Sequence, residues 1–301
     1  MTATESTSKS GAESVTESVT ESAAESTTQV TVRIDGDDVS VAPGATILDA
    51  CNAHGIDTPT ICYAENLTPV NVCRVCVVEV AGNRTLVPSC SRPAEDGMEI
   101  QTDSDRVRHS RKMVLEFLGS GVDLSQAPEI NEYSVRYEAD VTRYLDDREV
   151  IDEPIRIQDE LYIRDYDKCV LCYKCVEACG DDAQHTFAIA VAGRGFDNRI
   201  STEFDAVLPD SACVYCGNCV AVCPTNALQF KSEFDLRQSD NWREEEQTVT
   251  TTVCSYCGVG CNLELHVQDN EIVKVTSPVD HSVTHGNLCI KGRFGYQYVG
   301  N

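Results

Sequence analysis

The spacing of the cysteines constrains this chain more than any other feature of its sequence. Sixteen of the seventeen cysteines fall into four groups of four, and each group has its own internal spacing. The groups are Cys62, Cys73, Cys76 and Cys90; Cys169, Cys172, Cys175 and Cys179; Cys213, Cys216, Cys219 and Cys223; and Cys254, Cys257, Cys261 and Cys289. Thiolates in such quartets hold iron–sulfur clusters, and a series of clusters carries electrons one at a time.

The second and third groups both follow the spacing C-x2-C-x2-C-x3-C of bacterial ferredoxins. In such pairs the fourth cysteine of each run binds the other cluster. The predicted ligands of one [4Fe–4S] cluster are therefore Cys169, Cys172, Cys175 and Cys223, and those of a second are Cys179, Cys213, Cys216 and Cys219. Proline follows the second run, whereas Gly180 follows the first. The alternative is a pair of structural zinc sites, because C-x2-C pairs also bind zinc.

The first and fourth groups have wider spacings. The first reads C-x10-C-x2-C-x13-C, which suits a [2Fe–2S] cluster on a small hairpin-and-helix domain, with zinc as the alternative. The fourth reads C-x2-C-x3-C-x27-C and fits another [4Fe–4S] cluster, with Gly258 and Gly260 allowing the backbone to approach it closely. We expect His281 and His285 to face solvent rather than to act as ligands. Cys51 lies outside the groups and is predicted to be a buried free cysteine.

Local patterns divide the chain into folded units of the α+β class. The predicted elements of the first unit are strands 30–34, 39–41, 76–80, 85–87 and 98–100 and a helix from Thr46 to near Gly55, followed by a helix over 103–118. The predicted divisions are a disordered acidic tail (1–28), a [2Fe–2S] domain (29–102), a helix and irregular connector (103–160), a two-cluster [4Fe–4S] domain (161–230), a polar linker (231–249) and the start of another domain (250–301).

Charge and hydropathy exclude several kinds of partner. The chain carries 49 acidic and 24 basic residues, a net charge of −25, which argues against nucleic acid and anionic membranes. It has no apolar stretch long enough to span a bilayer and no ordinary signal peptide, so we expect a cytoplasmic protein with reduced thiols. Phosphate-binding loops and dinucleotide fingerprints are missing, so no NAD or flavin site is predicted in this chain.

The four groups in this order resemble the N-terminal part of the alpha subunit of cytoplasmic, NAD- or ferredoxin-linked formate dehydrogenases, which are molybdopterin oxidoreductases. Related front ends occur in a homologous subunit of complex I and in iron-only hydrogenases. The resemblance covers about residues 29–301. The segments that carry it are 58–63 (TPTICY), 73–80 (CRVCVVEV), 164–169 (RDYDKC), 193–197 (GRGFD), 254–260 (CSYCGVG) and 289–295 (CIKGRFG).

The resemblance implies three folds: a β-grasp [2Fe–2S] ferredoxin domain, a ferredoxin-like 2[4Fe–4S] domain and the small N-terminal [4Fe–4S] domain of a molybdopterin oxidoreductase. It implies that the chain carries electrons from a molybdenum or tungsten pterin site to a NAD-reducing flavin partner or to ferredoxin. Lys291 would then lie between the last cluster and the pterin and help electrons cross. The alternatives are the homologous subunit of a complex I-like NADH:quinone oxidoreductase, part of another molybdopterin oxidoreductase, and a zinc-binding interaction protein.

Two departures from that family matter. Its members often carry a further cluster, bound by one histidine and three cysteines, just after the helix at 103–118. Here residues 118–126 contain no cysteine, and His109 alone cannot replace that site, so we expect the electron path to take another route or a shorter gap. The chain also stops twelve residues after Cys289. We therefore expect the pterin contacts and the catalytic residue to lie in a partner subunit or in a missing C-terminal part.

The acidic excess predicts adaptation to high salt. Repulsion within a chain of net charge −25 is screened as the Debye length falls from about 10 Å at 0.1 M salt to about 3 Å at 1 M. We expect the melting temperature to rise steadily with KCl between these concentrations. Full folding and unchanged stability without added salt would contradict the prediction.

Overall fold

Five strands and one short helix build the first folded unit. The chain is described by a computed structural model at residues 29–148, 150 and 153–300, so the tail predicted at 1–28 lies outside the described residues. The elements of this unit are β1 (Val30–Ile34), β2 (Asp37–Val41), α1 (Ile47–Ala53), β3 (Val77–Val80), β4 (Val87–Pro88) and β5 (Glu99–Gln101). The strands form one mixed sheet in the order β2-β1-β5-β3-β4, with β1 antiparallel to β2 and parallel to β5. This is the predicted β-grasp arrangement.

Alternating burial and a helix cap specify this unit. In β1 the side chains of Val32 and Ile34 are buried while their neighbours are exposed, the period of two expected of a strand with one face on the core. Thr46 caps α1: its hydroxyl accepts a hydrogen bond from the Asp49 amide, and the Asp49 carboxylate accepts one from the Thr46 amide at 2.8 Å. Cys51 on α1 lies fully buried in the same core, which confirms the prediction of burial.

Two helices follow, and the second corrects the prediction of an irregular connector. Helix α2 (Asp105–Gly121) confirms the helix predicted over 103–118 and extends it by one turn. Helix α3 (Pro128–Arg136) was not predicted, because only Ile130 and two other apolar side chains interrupt an otherwise polar stretch. Proline at its first position preforms the helical backbone, and burial of Ile130 against α2 stabilises the short segment.

The middle of the chain forms a unit of short elements around the second and third cysteine groups. Its elements are β6 (Arg156–Ile157), β7 (Tyr162–Arg164), α4 (Lys174–Cys179), β8 (Ala190–Ala192), β9 (Arg199–Ser201), α5 (Asn218–Ala221) and β10 (Leu228–Phe230). Three strands pair antiparallel in the order β10-β7-β6, and β8 pairs with β9 in a separate hairpin. Helix α4 carries two cysteines of the first run and α5 carries one of the second, and both runs belong to one shared core.

The segment predicted as a linker is instead partly helical. Helix α6 (Lys231–Gln238) packs against the last unit of the chain: the Ser232 hydroxyl donates to the Val273 carbonyl at 2.6 Å. Glu233 is buried and forms ion pairs with Arg237 at 2.8 Å and with Lys274 at 3.4 Å. Local sequence contains little sign of this helix, because its buried face is formed largely by polar groups.

A three-stranded meander and one short helix complete the described chain. The elements are β11 (Thr248–Val253), β12 (Asn262–Gln268), β13 (Glu271–Thr276) and α7 (Ile290–Phe294). Neighbouring strands pair antiparallel in the order β11-β12-β13. Among the described residues, none of the helices combines the length and the apolar composition needed to cross a lipid bilayer.

A buried arginine joins helix α2 to the strand region that carries the first cysteine group. Arg111 is 2% exposed; its Nε and Nη2 donate to the carbonyls of Val75 and Val77, each at 3.0 Å, and its Nη1 donates to the Tyr137 hydroxyl at 2.7 Å. These bonds satisfy carbonyls beside Cys76 that water does not reach, so the guanidinium fixes the backbone next to a predicted ligand.

We expect Arg111→Met to lower the free energy of unfolding by about 3 kcal/mol, because it leaves buried carbonyls without donors while keeping most of the side-chain volume. Urea unfolding under anaerobic conditions measures this. The matched control, Tyr137→Phe, removes one of the three bonds and should cost about 1 kcal/mol. Equal losses in the two variants would contradict this account of Arg111.

Candidate iron–sulfur centres

The sixteen grouped cysteines occupy four places in the structure. We call the predicted ligand groups set A (Cys62, Cys73, Cys76, Cys90), set B (Cys169, Cys172, Cys175, Cys223), set C (Cys179, Cys213, Cys216, Cys219) and set D (Cys254, Cys257, Cys261, Cys289). All seventeen cysteines lie within the described residues, and all have free thiols.

Set A is a crowded group of thiols on the first unit. The Sγ atoms of Cys76 and Cys90 lie 3.4 Å apart, and the Cys73 amide donates to the Cys62 Sγ at 3.5 Å. Contact with the Cys73 thiol lowers the pKa of Cys62, and contact with Cys90 lowers the pKa of Cys76. The same contacts, with burial, raise the pKa of Cys73 and of Cys90. All four can therefore be thiolates together only beside a compensating positive charge, such as that of iron.

Sets B and C line two separate small cavities in the middle unit. One cavity is lined by all four cysteines of set B, and the other by all four of set C. Each set combines three cysteines of one run with the last cysteine of the other, so the structure brings together the crossed groups that the ferredoxin spacing predicts. Burial raises the pKa of Cys175 and Cys219 well above the ordinary value of a thiol. Like set A, these thiols fit a site whose occupant carries positive charge.

The two runs share an unusual backbone. Leu171 and Tyr173 in the first run have φ of 51° and 63°, and Tyr215 and Gly217 at the equivalent positions of the second run have φ of 56° and 71°. Left-handed residues that alternate with right-handed ones turn successive amides toward one point, and such nests bind anions. The cysteine runs therefore present backbone donors of the kind that stabilise a negatively charged cluster. In both runs the left-handed residues lie two and four positions after the first cysteine.

Set D is more open to solvent than the others. Cys254 is buried, whereas Cys257 and Cys289 are exposed. Burial raises the pKa of Cys261, and the nearby thiols of Cys254, Cys257 and Cys289 raise it further, so the four groups interact.

The side chains around set D bear on three further predictions. His285 is exposed, as expected, and His281 is half-buried, with its Nδ1 3.2 Å from the Thr284 hydroxyl. Lys291 lies on α7, two residues after Cys289, and is exposed. Its role as an electron relay stays a prediction.

The geometry of the donors distinguishes clusters from single ions. A structural zinc site places four ligands around one ion, with sulfur about 2.3 Å from it. In the part of the chain that the structure describes, no three His, Cys, Asp or Glu side chains form a group that could hold one metal ion. Thiols around a cavity suit a [4Fe–4S] cluster, in which each cysteine sulfur binds a different iron. Sets B and C, which line cavities, therefore fit [4Fe–4S] clusters better than the zinc alternative.

Sets A and B are directly adjacent. Cys62 of set A and Cys172 of set B belong to one buried apolar cluster, which also contains Val75. The same cluster contains Leu124 and Ile130, from the region where relatives of the predicted family carry a further cluster. Apolar packing fills this region, so sets A and B share a wall. That electrons take another route or a shorter gap stays a prediction.

Sets C and D are joined by a buried arginine that the sequence did not reveal as a site residue. The Nε of Arg293 donates to the Cys216 carbonyl at 2.9 Å, and its Nη2 donates to the Asn218 Oδ1 at 2.9 Å. The same oxygen accepts the amide hydrogen of Leu288 at 3.0 Å. A Cβ atom at Gly217 would lie 2.5 Å from the Arg293 Cδ, which explains why glycine stands there. The segment 289–295 was singled out in the sequence, but its contacts with Cys216 and Asn218 are long-range, so the sequence did not indicate this role of Arg293.

Comparison with known families identifies three domains in this chain. The model for the 2Fe-2S iron-sulfur cluster binding domain matches residues 27–105, that for the 4Fe-4S dicluster domain matches 168–227, and that for the molybdopterin oxidoreductase Fe4S4 domain matches 247–301. The chain is thus built from these three domains in this order, in agreement with the predicted fold class.

Similar curated proteins are oxidoreductase subunits. The chain is 32% identical over 279 residues to a NADH-quinone oxidoreductase subunit of Rhizobium meliloti, and 34% over 284 residues to the NADPH-Fe(3+) oxidoreductase subunit alpha of Geobacter sulfurreducens. It is 26% identical over 309 residues to a provisionally named formate dehydrogenase of Staphylococcus haemolyticus. These matches cover 90%, 90% and 89% of this chain but only 31% of each relative, so the chain spans about a third of their length.

A solved structure shares the fold over much of the chain. It is the crystal structure of a NAD+-reducing [NiFe]-hydrogenase in the H2-reduced state, with a TM-score of 0.60 and 26% sequence identity. The match covers 67% of this chain and 87% of the hydrogenase chain.

The crossed ligand sets predict which cysteine substitutions act together. We expect Cys223→Ser to alter the same EPR signal as Cys169→Ser, and Cys179→Ser to alter the same signal as Cys213→Ser, because each pair lines one cavity. Low-temperature EPR of the reduced full chain measures this. Cys51→Ala is the matched control and should leave every signal in place. Pairing by run, with Cys179 following Cys169, would show the crossed assignment to be wrong.

Proposed function

We propose that this chain, with its [2Fe–2S], dicluster [4Fe–4S] and molybdopterin oxidoreductase Fe4S4 domains, is an electron-transfer component of a formate dehydrogenase. It would carry electrons from a molybdenum or tungsten pterin site to a flavin-bearing partner that reduces NAD, or to ferredoxin. Its cofactors would be one [2Fe–2S] cluster at set A and three [4Fe–4S] clusters at sets B, C and D. Iron–sulfur clusters accept and release one electron at a time.

The observation that carries this proposal is the contiguity of the four thiol sets. Set D touches set C through Arg293, which contacts the Cys216 carbonyl and lies on the helix that follows Cys289. Sets C and B share the core between helices α4 and α5, and set B shares a wall with set A at Cys62 and Cys172. The order D, C, B, A supports a single path through the chain.

The role of the protein in this path is to hold, bury and solvate the charge of each site. Hydrogen-bond donors around the thiolates stabilise the more negative, reduced state, and burial favours the less negative, oxidised state. The amide of the left-handed residue Tyr215 donates to the Cys213 Sγ at 3.4 Å, while apolar side chains such as Ile200 and Leu228 line both cavities and keep water out of them. A cytoplasmic location belongs to this proposal, because the sites need reduced thiols.

The alternative is electron transfer in a pyridine-nucleotide oxidoreductase that does not use formate, such as a complex I-like NADH:quinone oxidoreductase. The 32% and 34% identities to NADH-quinone and NADPH-Fe(3+) oxidoreductase subunits support it, and they exceed the 26% identity to the formate dehydrogenase relative. The molybdopterin oxidoreductase Fe4S4 domain match at 247–301 does not discriminate between the two proposals, because it identifies the domain but no substrate. The electron donor therefore separates the two proposals.

We expect the anaerobically purified chain to contain about 14 iron atoms, as one two-iron and three four-iron clusters require. With the pterin-containing catalytic partner present, formate should bleach its visible absorption; without the partner, formate should have no effect. Bleaching by NADH through a flavin partner, with no response to formate under either condition, would favour the alternative. A chain that holds zinc instead of iron would refute both.

A single cysteine substitution tests the proposed order of the sites. Cys219→Ser removes a ligand of set C, which lies between sets D and B in the proposed order. Formate should then still reduce the site at set D but no longer the site at set A. Reduction of set A at the rate of the unaltered chain would contradict the proposed order of sites.

A further inference from the structure

Set C lies beside two buried arginines that form no ion pairs. Arg164 is 1% exposed and Arg293 is 0% exposed. Neither takes part in an ion pair within residues 29–148, 150 and 153–300, although the chain holds 49 acidic residues. A buried cation without a counter-ion costs several kcal/mol unless a nearby anion compensates it. An anion at set C would offset this cost for both arginines, because both lie beside that set.

Arg164 lines the cavity of set C. Its Nη1 donates to the Tyr166 hydroxyl at 3.2 Å, and its Nη2 donates to Gln158. Its Nε is buried and, among the described residues, has no hydrogen-bond partner. Both acceptors are neutral, and no carboxylate among the described residues forms an ion pair with this guanidinium. Arg164 lines the same cavity as the four thiols of set C, so a negative charge in that cavity would compensate its own.

Arg293 reaches set C from the other side. Each hydrogen bond described for its guanidinium goes to a neutral oxygen, among them the Cys216 carbonyl and the Asn218 amide oxygen. Arg293 also lies on α7, the helix that begins directly after Cys289 of set D. The side chain thus lies between sets C and D, with its closest backbone contact to set C.

Set C also receives a hydrogen bond from outside its motif. The Tyr162 hydroxyl lies 2.9 Å from the Cys213 Sγ, and the tyrosine is 2% exposed. A phenol carries a proton and a thiolate carries none, so beside a thiolate the Tyr162 hydroxyl is the donor of this bond. Such a bond stabilises added negative charge on the sulfur.

Set B has no comparable surroundings. Among the described residues that line its cavity, none carries a charged side chain. Lys174, a cation that acts on Cys172 of this set, is only half-buried, and the thiolate of Cys62 in set A adds negative charge next to Cys172. Reduction at set B therefore adds charge beside another anionic site, whereas reduction at set C adds charge beside two buried cations.

We propose that Arg164, Arg293 and Tyr162 tune the cluster at set C to a higher reduction potential than the cluster at set B. This proposal rests on the proposed function, in that it requires a [4Fe–4S] cluster at each set. Four thiolates around an oxidised [4Fe–4S] core carry a net charge of about −2, and the two guanidinium groups offset that charge. One electron enters at set C with no bond formed or broken, and the buried cations stabilise the charge that it adds. Set C is then the site at which an electron resides between sets D and B.

The test uses the anaerobic full chain, poised at a series of potentials and examined by low-temperature EPR. Arg164→Met, Arg293→Met and Tyr162→Phe should each shift one and the same [4Fe–4S] transition to lower potential. For either arginine variant we expect about a tenfold fall in the ratio of reduced to oxidised cluster at a fixed potential, which corresponds to about 59 mV for one electron. Arg293→Lys keeps the charge and should restore most of the loss.

Two controls separate charge at the site from charge on the chain. Arg33→Met removes an arginine whose side chain is 56% exposed, and it should leave all transitions in place because solvent screens it. Lys174→Met should move a different [4Fe–4S] transition, that of set B, and by less. Arg293→Met can also move the transition of set D, so set C is identified as the transition that responds to all three variants.

The outcomes distinguish this inference from the proposed function. A chain without iron refutes both. Clusters present in normal amount, with no common transition shifted by Arg164→Met and Tyr162→Phe, overturn the tuning role while leaving the proposed function intact. If an arginine variant loses iron, the test rests on Tyr162→Phe and Arg293→Lys, because both preserve the charge at set C and nearly all of its volume. A lower potential of one [4Fe–4S] transition in Tyr162→Phe, with little change in Arg293→Lys, supports the tuning role, and an unchanged potential in Tyr162→Phe overturns it.

Discussion

The structure depends on the placement of many ionisable thiols in apolar surroundings. Burial raises the pKa of a thiol such as Cys175 or Cys219, and each neighbouring thiolate raises it further. The protein alone cannot ionise four such groups in one cavity. A centre with positive charge makes ionisation of the four thiols favourable, because the attraction of each thiolate to the centre outweighs the repulsion among the thiolates. The fold therefore makes sense as a set of cavities completed by iron, and the backbone turns around each run adjust the charge that remains.

Local sequence signals predicted the elements of the first unit and the helix after it well. Alternation indicated the strands of the first unit, and the Thr46 cap indicated its helix, because these depend on neighbours in sequence. Helices α3 and α6 were missed for a common reason: both are short, and each is stabilised by contacts with distant parts of the chain, such as the pair of Glu233 with Lys274. Propensity carries little of that information.

The residues of the candidate site also fall into those that local sequence predicted and those that it did not. Cysteine spacing was sufficient to predict the crossed groups that line the two cavities. It could not reveal Arg164, Arg293 or Tyr162 as neighbours of set C, because each approaches from a strand or helix outside the cysteine run. Residues that hold a centre are thus readable from the spacing of one segment, whereas residues that adjust its properties become visible only when the segments are assembled.

The shared wall between Cys62 and Cys172 has a consequence for how the protein is loaded with iron. The two residues belong to one apolar core, so the first unit and the middle unit pack together beside both thiol sets. Filling one site orders part of the packing around its neighbour and lowers the entropy that the second insertion must remove. Maturation of the two centres is therefore expected to be cooperative, and half-loaded molecules should be rare in the cell.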